Sequence, residues 1–468
     1  MILNPEELTS GFFLSLHPET QSLPIPALRM ASTKKTARGA FIAVTSLFFM
    51  WGFITVLADG LIPRLKDLFE LKHWQAATVQ IAWFVPYGLL SIPAGFLLAR
   101  IGYKRGIVTG LSLAALGCVL FFPAADFRVF GWFLTAIFVL GSGITILQVA
   151  ANPYITVLGS SEGAARRLNL AQAFNSFGTT IAPIFSATFL LGDHILSSND
   201  QAALSQEALT TYLDTEAAAV QTPFITLALA FALLAGVFAL VNLPSIIGGG
   251  STSRHQFREV WSNARLRFGA LAIFVYVGAE VAIGSFLALY FVDLGLPEAI
   301  RSNSTLMSLV EGISQTFAGK SAATLDDTGL VASFAIFYWG SAMIGRFVGA
   351  ALLTKMRPGW LLSIFGTGAV LLLIATASTT GFVAMVSVLL VGFFNSVMFP
   401  TIFSMSLEEL GEYKPEGSGI LCTAIVGGAV IPPLVGYMRD LTGDYAIAFL
   451  LPLLCYLVIV AFARRYAR

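Results

Sequence analysis

Charge is what this sequence has least of. Asp, Glu, Lys and Arg make up 11% of its 468 residues, against roughly a quarter in an ordinary soluble domain. So few ionised groups cannot cover a globular surface of this size, which excludes a water-soluble fold. The formal net charge is +1 and no long Lys/Arg cluster occurs, so no nucleic-acid partner is expected. Histidine is scarce as well: His17, His73, His194 and His255 all lie outside the long apolar runs. Cys118, Cys422 and Cys455 stand singly inside such runs. Neither residue type has ligand spacing, so no metal site, disulfide framework or cofactor is expected, and the thiols read as small buried side chains. A glycine-rich phosphate loop with a lysine is missing, which argues against direct ATP drive. A nucleophile, base and acid do not assemble at membrane depth, so an enzyme is not expected.

Apolar runs are what the chain has in abundance, with 56% hydrophobic residues. Stretches of about twenty recur, the helical length that crosses a hydrocarbon core of roughly 30 Å. Twelve spans follow: residues 40–63, 76–99, 107–123, 130–158, 168–191, 222–243, 268–292, 330–353, 360–378, 382–403, 417–437 and 445–463. The expected fold is an all-α polytopic membrane protein, in contact with the lipid bilayer along its length. Residues 1–39, with Pro5, Pro18, Pro24 and Pro26, lack the apolar core of a secretory signal and read as a cytoplasmic tail. Met30, followed by the basic lead "ASTKKTARGAF", is a candidate translation start. The glycine-serine stretch in "PSIIGGGSTSRHQ" divides six spans from six. The expected domains are a first bundle over 40–243, a cytoplasmic linker over 244–267, and a second bundle with a short cytoplasmic tail over 268–468.

Orientation follows from basic residues, which are retained in the cytoplasm. With the N-terminus inside, cytoplasmic segments hold 20 of the 27 Lys and Arg, counting Arg346, Lys355 and Arg357 around the end of span 8. Both termini are therefore expected in the cytoplasm. The long outer connections, 192–221 and 293–329, are Ser/Thr/Ala-rich and read as surface loops.

The halves repeat. Gln148 stands five residues before Pro153 in span 4, and Asn395 five before Pro400 in span 10. Gly178 stands five before Pro183 in span 5, and Gly427 five before Pro432 in span 11. Two six-helix bundles with a site between them fit the parallel repeats of secondary transporters. Prolines inside the spans, Pro86 and Pro93 among them, remove backbone hydrogen bonds and leave carbonyls that neighbours or water must satisfy.

Polar side chains at membrane depth are costly, which makes them functional candidates. Glu280, 12 residues after Phe268 and 12 before Val292, lies near the midplane. Gln148 and Asn395 are also central in their spans. Asp59, five residues before Arg64, reads either as an acid at an outer helix end or as a functional carboxylate. Gln148 and Asn152 are an i, i+4 pair, while Asn169, Gln172 and Asn175 step by three, each set on one helix face. Amides donate and accept, which suits a ligand made of hydroxyls. The same residues equally suit interhelical hydrogen bonds between spans 4 and 5.

The segment "PAGFLLARIGYKRG" after span 2 resembles the loop signature of the major facilitator superfamily, with Ala99 where that signature usually carries an acid. The blocks "FFMWGFITVLADGLIPRLK", "AANPYITVLG", "RLNLAQAFNSFGTTIAP", "YVGAEVAIGSF", "FNSVMFPTIFS" and "GSGILCTAIVGGAVIPPLVGYMRD" resemble the fucose-galactose-glucose:proton symporter family, in its glucose/galactose branch. The resemblance covers about residues 40–463. It implies an alternating-access sugar permease of the bacterial inner membrane, with sugar and proton as partners and a monomer as the unit. It also implies that Asp59 matches a first-helix carboxylate used in sugar recognition and protonation, and that Gln172 and Asn175 match polar cavity residues. Gln148 stands where the fucose permease branch has a glutamate, and an amide cannot titrate. Coupling then falls to Asp59 and Glu280, with Gln148, Asn152, Gln172, Asn175 and Asn395 as ligands for hydroxyls. Sugar uniport, an N-acetylhexosamine or disaccharide permease, and a multidrug antiporter stay open as alternatives.

Overall fold

The structure, a computed structural model, describes residues 34–60, 73–127, 129–189, 203–241 and 254–467. Among these residues no strand occurs, and helices occupy the described part of each of the twelve spans; residues 1–33 of the expected tail and 244–253 of the expected linker lie outside the described residues. Span 1 is Lys34–Gly60. Spans 2 and 3 form His73–Phe127, which turns at Gly102, where φ is 80°. Spans 4 to 7 are Phe130–Val157, Ala164–Phe189, Gln206–Leu240 and Ala264–Asp293. Span 8 joins Asp327–Ala332 to Ala335–Leu352, and span 9 is Pro358–Ser378. Span 10 joins Gly381–Asn395 to Met398–Leu407, and span 11 joins Lys414–Thr423 to Gly427–Thr442. Span 12 joins Tyr445–Ala448 to Leu450–Arg465. Among the described residues nine stretches are long and apolar enough to cross a membrane, and two of them, Ile81–Phe127 and Gly381–Thr442, each hold two spans. Span 5 falls short even beyond Arg167, because Asn169, Gln172 and Asn175 and the Ser, Gly and Thr residues among them lower its hydropathy.

The two long outer connections differ from the expected loops. Residues 206–221 continue span 6 as helix, capped by Ser205, whose hydroxyl accepts from the Ala208 N–H at 3.2 Å. Within 293–329 lie the helices Leu296–Arg301 and Ser304–Ala318. The Asn303 side chain caps the second by accepting from the N–H groups of Thr305 and Leu306. Glu311 then pins the following turn, accepting from the Ala322 N–H at 2.6 Å and the Ser321 hydroxyl at 3.1 Å. Without an apolar stripe of membrane length, Ser, Thr and Ala still form helix once the ends are capped. Leu89, Leu229, Leu233, Leu371 and Val383 are among the large apolar side chains exposed on the outside of the helices, as lipid contact requires.

Packing follows the repeat. Span 1 packs on span 5, and spans 2 and 3 on spans 4 and 6, while span 7 packs on spans 11 and 12 and span 8 on span 10. The duplicated glycines mark equivalent crossings. A side chain at Gly178 would run into the backbone of Phe49 and Phe53 in span 1, and one at Gly427 into the backbone of Phe274 in span 7. Between the halves, span 2 meets the first piece of span 11, and span 5 meets spans 8 and 10. Cys118, Cys422 and Cys455 are buried and unpaired.

Candidate functional site

Two of the helix-breaking prolines leave a carbonyl without its helical donor, and the structure supplies both with new ones. Pro153 cannot donate to Val149 four residues back. The Ser418 hydroxyl of span 11 donates to that carbonyl at 2.8 Å. Pro400 likewise frees the Ser396 carbonyl, which accepts from Arg346 Nε of span 8 at 3.3 Å. The repeated proline thus builds two polar junctions, one of which joins the halves.

Arg346 joins them again. Its Nη1 donates to the Gln172 carbonyl at 3.0 Å and to the Ser176 hydroxyl at 2.5 Å, both in span 5. A third junction lies nearby, where Asn169 Nδ2 donates to Thr401 Oγ1 at 3.2 Å. Close backbone contact completes this seam: Gly419 of span 11 sits against Ser91 and Gly95 of span 2. All three junctions lie toward the end of the bundle that carries the 2–3, 4–5, 8–9 and 10–11 connections, where basic residues predominate. That end is here termed the basic end.

Glu280 lies near the middle of the thirty-residue span 7 and stays half-buried. The groups acting on its carboxylate are Arg346 and the Tyr276 hydroxyl, one turn before it. Tyr338 of span 8 donates to the Glu280 carbonyl at 3.3 Å and accepts from Asn395 Nδ2 at 2.7 Å. The buried Tyr456 of span 12 lies beside Asn395. Spans 7, 8, 10 and 12 therefore converge on one cluster with a carboxylate, a guanidinium, an amide and three phenols.

The other amides fall into separate places. Gln148 is half-buried and donates Nε2 to the Tyr87 hydroxyl of span 2 at 2.6 Å. Asn152, one turn on, is fully buried against Cys422, with neither amide atom hydrogen-bonded. It lies in the seam. Gln172 is 5% exposed and presents its main-chain carbonyl to Arg346. Asn175 ties span 5 to span 1, donating Nδ2 to the Phe48 carbonyl at 2.8 Å. Asp59 falls in the last turn of span 1, and its side chain lies outside the described residues.

Arg346 is the principal correction. Counted in sequence as a basic residue around the end of span 8, it stands within that helix and bonds across the interface. Removing it from the twenty inner basic residues leaves nineteen against seven, so the asymmetry survives. The signal for it was its setting, "MIGRFVGAALL", with apolar residues on both sides. Tyr338 and Tyr456 carried no comparable signal, because a buried tyrosine reads first as packing.

Twelve spanning helices in two repeats, with a polar cluster and hydrogen bonds between them, define a membrane transporter of the alternating-access kind, and not an enzyme. The chain belongs to the Major Facilitator Superfamily, whose profile matches residues 39–433. It is 45% identical over 426 residues to a glucose/galactose transporter of Brucella abortus biovar 1 (strain 9-941), covering 91% of this chain and 93% of that one. It is 34% identical over 435 residues to the L-fucose-proton symporter of Escherichia coli (strain K12), covering 91% and 92%. Its fold is similar to that of the transporter FucP solved in the outward conformation, with a TM-score of 0.79, 31% identity, and coverage of 92% of this chain and 100% of that one.

Proposed function

We propose that the chain takes up a hexose of the glucose, galactose or fucose type together with a proton, by alternating access. Its setting is the bacterial inner membrane, as a monomer with both termini cytoplasmic. The observation that carries the proposal is Glu280, a half-buried carboxyl group in mid-span, beside the arginine that bonds the two halves together. A carboxyl group in a water-poor site takes up and releases a proton as access alternates. Ionised, Glu280 competes with span 5 for Arg346; protonated, it leaves Arg346 to the Gln172 carbonyl and the Ser176 hydroxyl. Proton binding and closure of the basic end are then linked through one guanidinium.

Asp59, the first-span acid of the other half, is the proposed second proton-binding group. Gln148, Gln172, Asn175 and Asn395 are the proposed ligands for sugar hydroxyls, and Asn152 joins them when the seam parts. The bundle over 40–243 and that over 268–468 rock about the linker between them. The names of the relatives, a glucose/galactose transporter and an L-fucose-proton symporter, support this substrate class.

Counterflow in proteoliposomes with a panel of labelled sugars tests the substrate, and the absence of exchange with every hexose would overturn it. Sugar-induced alkalinisation of the medium around energy-depleted cells tests the proton. Uniport is the second reading, favoured by Gln148, whose amide cannot titrate; it predicts exchange without alkalinisation.

A further inference from the structure

A groove of about 310 Å³ lies on the outside of the second half at the basic end, away from the seam. It forms where the start of span 7 meets the end of span 12 and is lined by Ala264, Arg267, Phe268, Leu271, Arg465 and Tyr466. Arg267 and Arg465 are exposed, and among the described residues neither forms an ion pair. The neighbouring Arg265 behaves differently. Its guanidinium is bound by Glu408 at 2.6 Å and Glu409 at 3.0 Å, and it lies 5.4 Å from the centre of the Tyr466 ring. Those two acids are engaged by Arg265, while Arg267 and Arg465 have no acid partner among the described residues, Arg465 lying 5.9 Å from the centre of the same Tyr466 ring.

The floor below these cations is apolar and fixed. Phe268 packs edge-on against Phe462 and Tyr466. Leu271, one turn beyond Arg267 on the same helix face, is 49% exposed. The groove therefore has a mouth with two positive charges and an apolar wall leading toward the membrane interior. Trp261 and Trp360 are both exposed near this end, and Gly359, beside Trp360, abuts Ala467 of the C-terminal tail. Exposed tryptophans favour the headgroup level of a bilayer. A basic pocket between spans at that level suits an anionic headgroup.

We infer that this groove binds an anionic phospholipid, with its phosphate between Arg267 and Arg465 and an acyl chain along Phe268 and Leu271. Charge selects the headgroup and the apolar wall selects a lipid over a free anion.

The test uses the full-length chain, purified in detergent and stripped of lipid. It is titrated with phosphatidylglycerol, with phosphatidylcholine of the same chain length, and with inorganic phosphate. Thermal midpoint and retained lipid, counted by native mass spectrometry, are the readouts. Phosphatidylglycerol is expected to raise the midpoint and to be retained, while the other two leave it unchanged. Each of Arg267→Gln and Arg465→Gln should weaken phosphatidylglycerol binding roughly five-fold, the double variant should abolish the shift, and Arg464→Gln should keep it. An equal response to phosphatidylcholine overturns the inference, as does a wild-type response from the variants at 267 and 465. A shift reproduced by inorganic phosphate overturns it in favour of an anion site without lipid. The two single variants decide the matter if the double variant does not fold.

Discussion

The Ser418 hydroxyl donates to the Val149 carbonyl at 2.8 Å across 269 residues of sequence, from one half of the transporter to the other. Removing the hydroxyl leaves a buried carbonyl without a donor in the closed seam only, so Ser418→Ala disfavours that state by about 1 kcal/mol. Cys422, one turn along and buried, reports the change. With Cys118 and Cys455 replaced by alanine, Ser418→Ala should raise the alkylation rate of Cys422 roughly five-fold. An unchanged rate would show that the bond does not hold the seam.

Arg346 reaches acceptors in two directions, span 5 and span 10, through different nitrogens. A lysine carries the same charge on one nitrogen and cannot match that fork. Hydrogen bonds to a charged group contribute about 1.5 to 3 kcal/mol each, so Arg346→Lys should cut the counterflow rate by at least ten-fold with the fold intact. Wild-type counterflow from this variant would remove Arg346 from the gate.

The proposed proton role separates coupling from movement. Glu280→Gln and Asp59→Asn keep hydrogen-bonding shape and lose the ionisable group. Each should abolish uphill accumulation while sparing sugar exchange. Full accumulation by either variant would take that carboxyl group out of the coupling path.

Gly419 is a steric test of the same seam. A β-carbon there would stand 2.6 Å from the Ser91 carbonyl oxygen and 3.3 Å from the Gly95 Cα, and backbone cannot yield as a side-chain tip does. Gly419→Val should hold the seam apart, leaving Cys422 reactive in nearly all molecules and counterflow lost. Slow Cys422 alkylation in that variant would show that the helices slide past the added methyl groups.

Hydropathy located the spans because a bilayer imposes a minimum apolar length, a constraint that acts within one segment of chain. The helices at 206–221 and 304–318 escaped it because they lie beyond the long apolar runs, although Ser205 and Asn303 were readable as caps. Glu280 was legible from depth alone. Its partners were not, since Arg346, Tyr338 and Tyr456 come together only through the crossing of spans 7, 8, 10 and 12. The amides show the same limit: spacing placed Gln148 and Asn152 on one face, but only packing separates a half-buried amide bonded to Tyr87 from one enclosed beside Cys422.

Span 6 runs for 35 residues, about 52 Å of helix against a hydrocarbon core of roughly 30 Å. Its Ser205-capped start therefore stands clear of the bilayer on the face away from the seam, continuous in one helix with the first half. A spectroscopic label near Thr210, exposed and distant from every residue of the seam, would act as the tip of a pointer, turning a small tilt of the bundle into a displacement of several ångströms without touching the machinery it reports on.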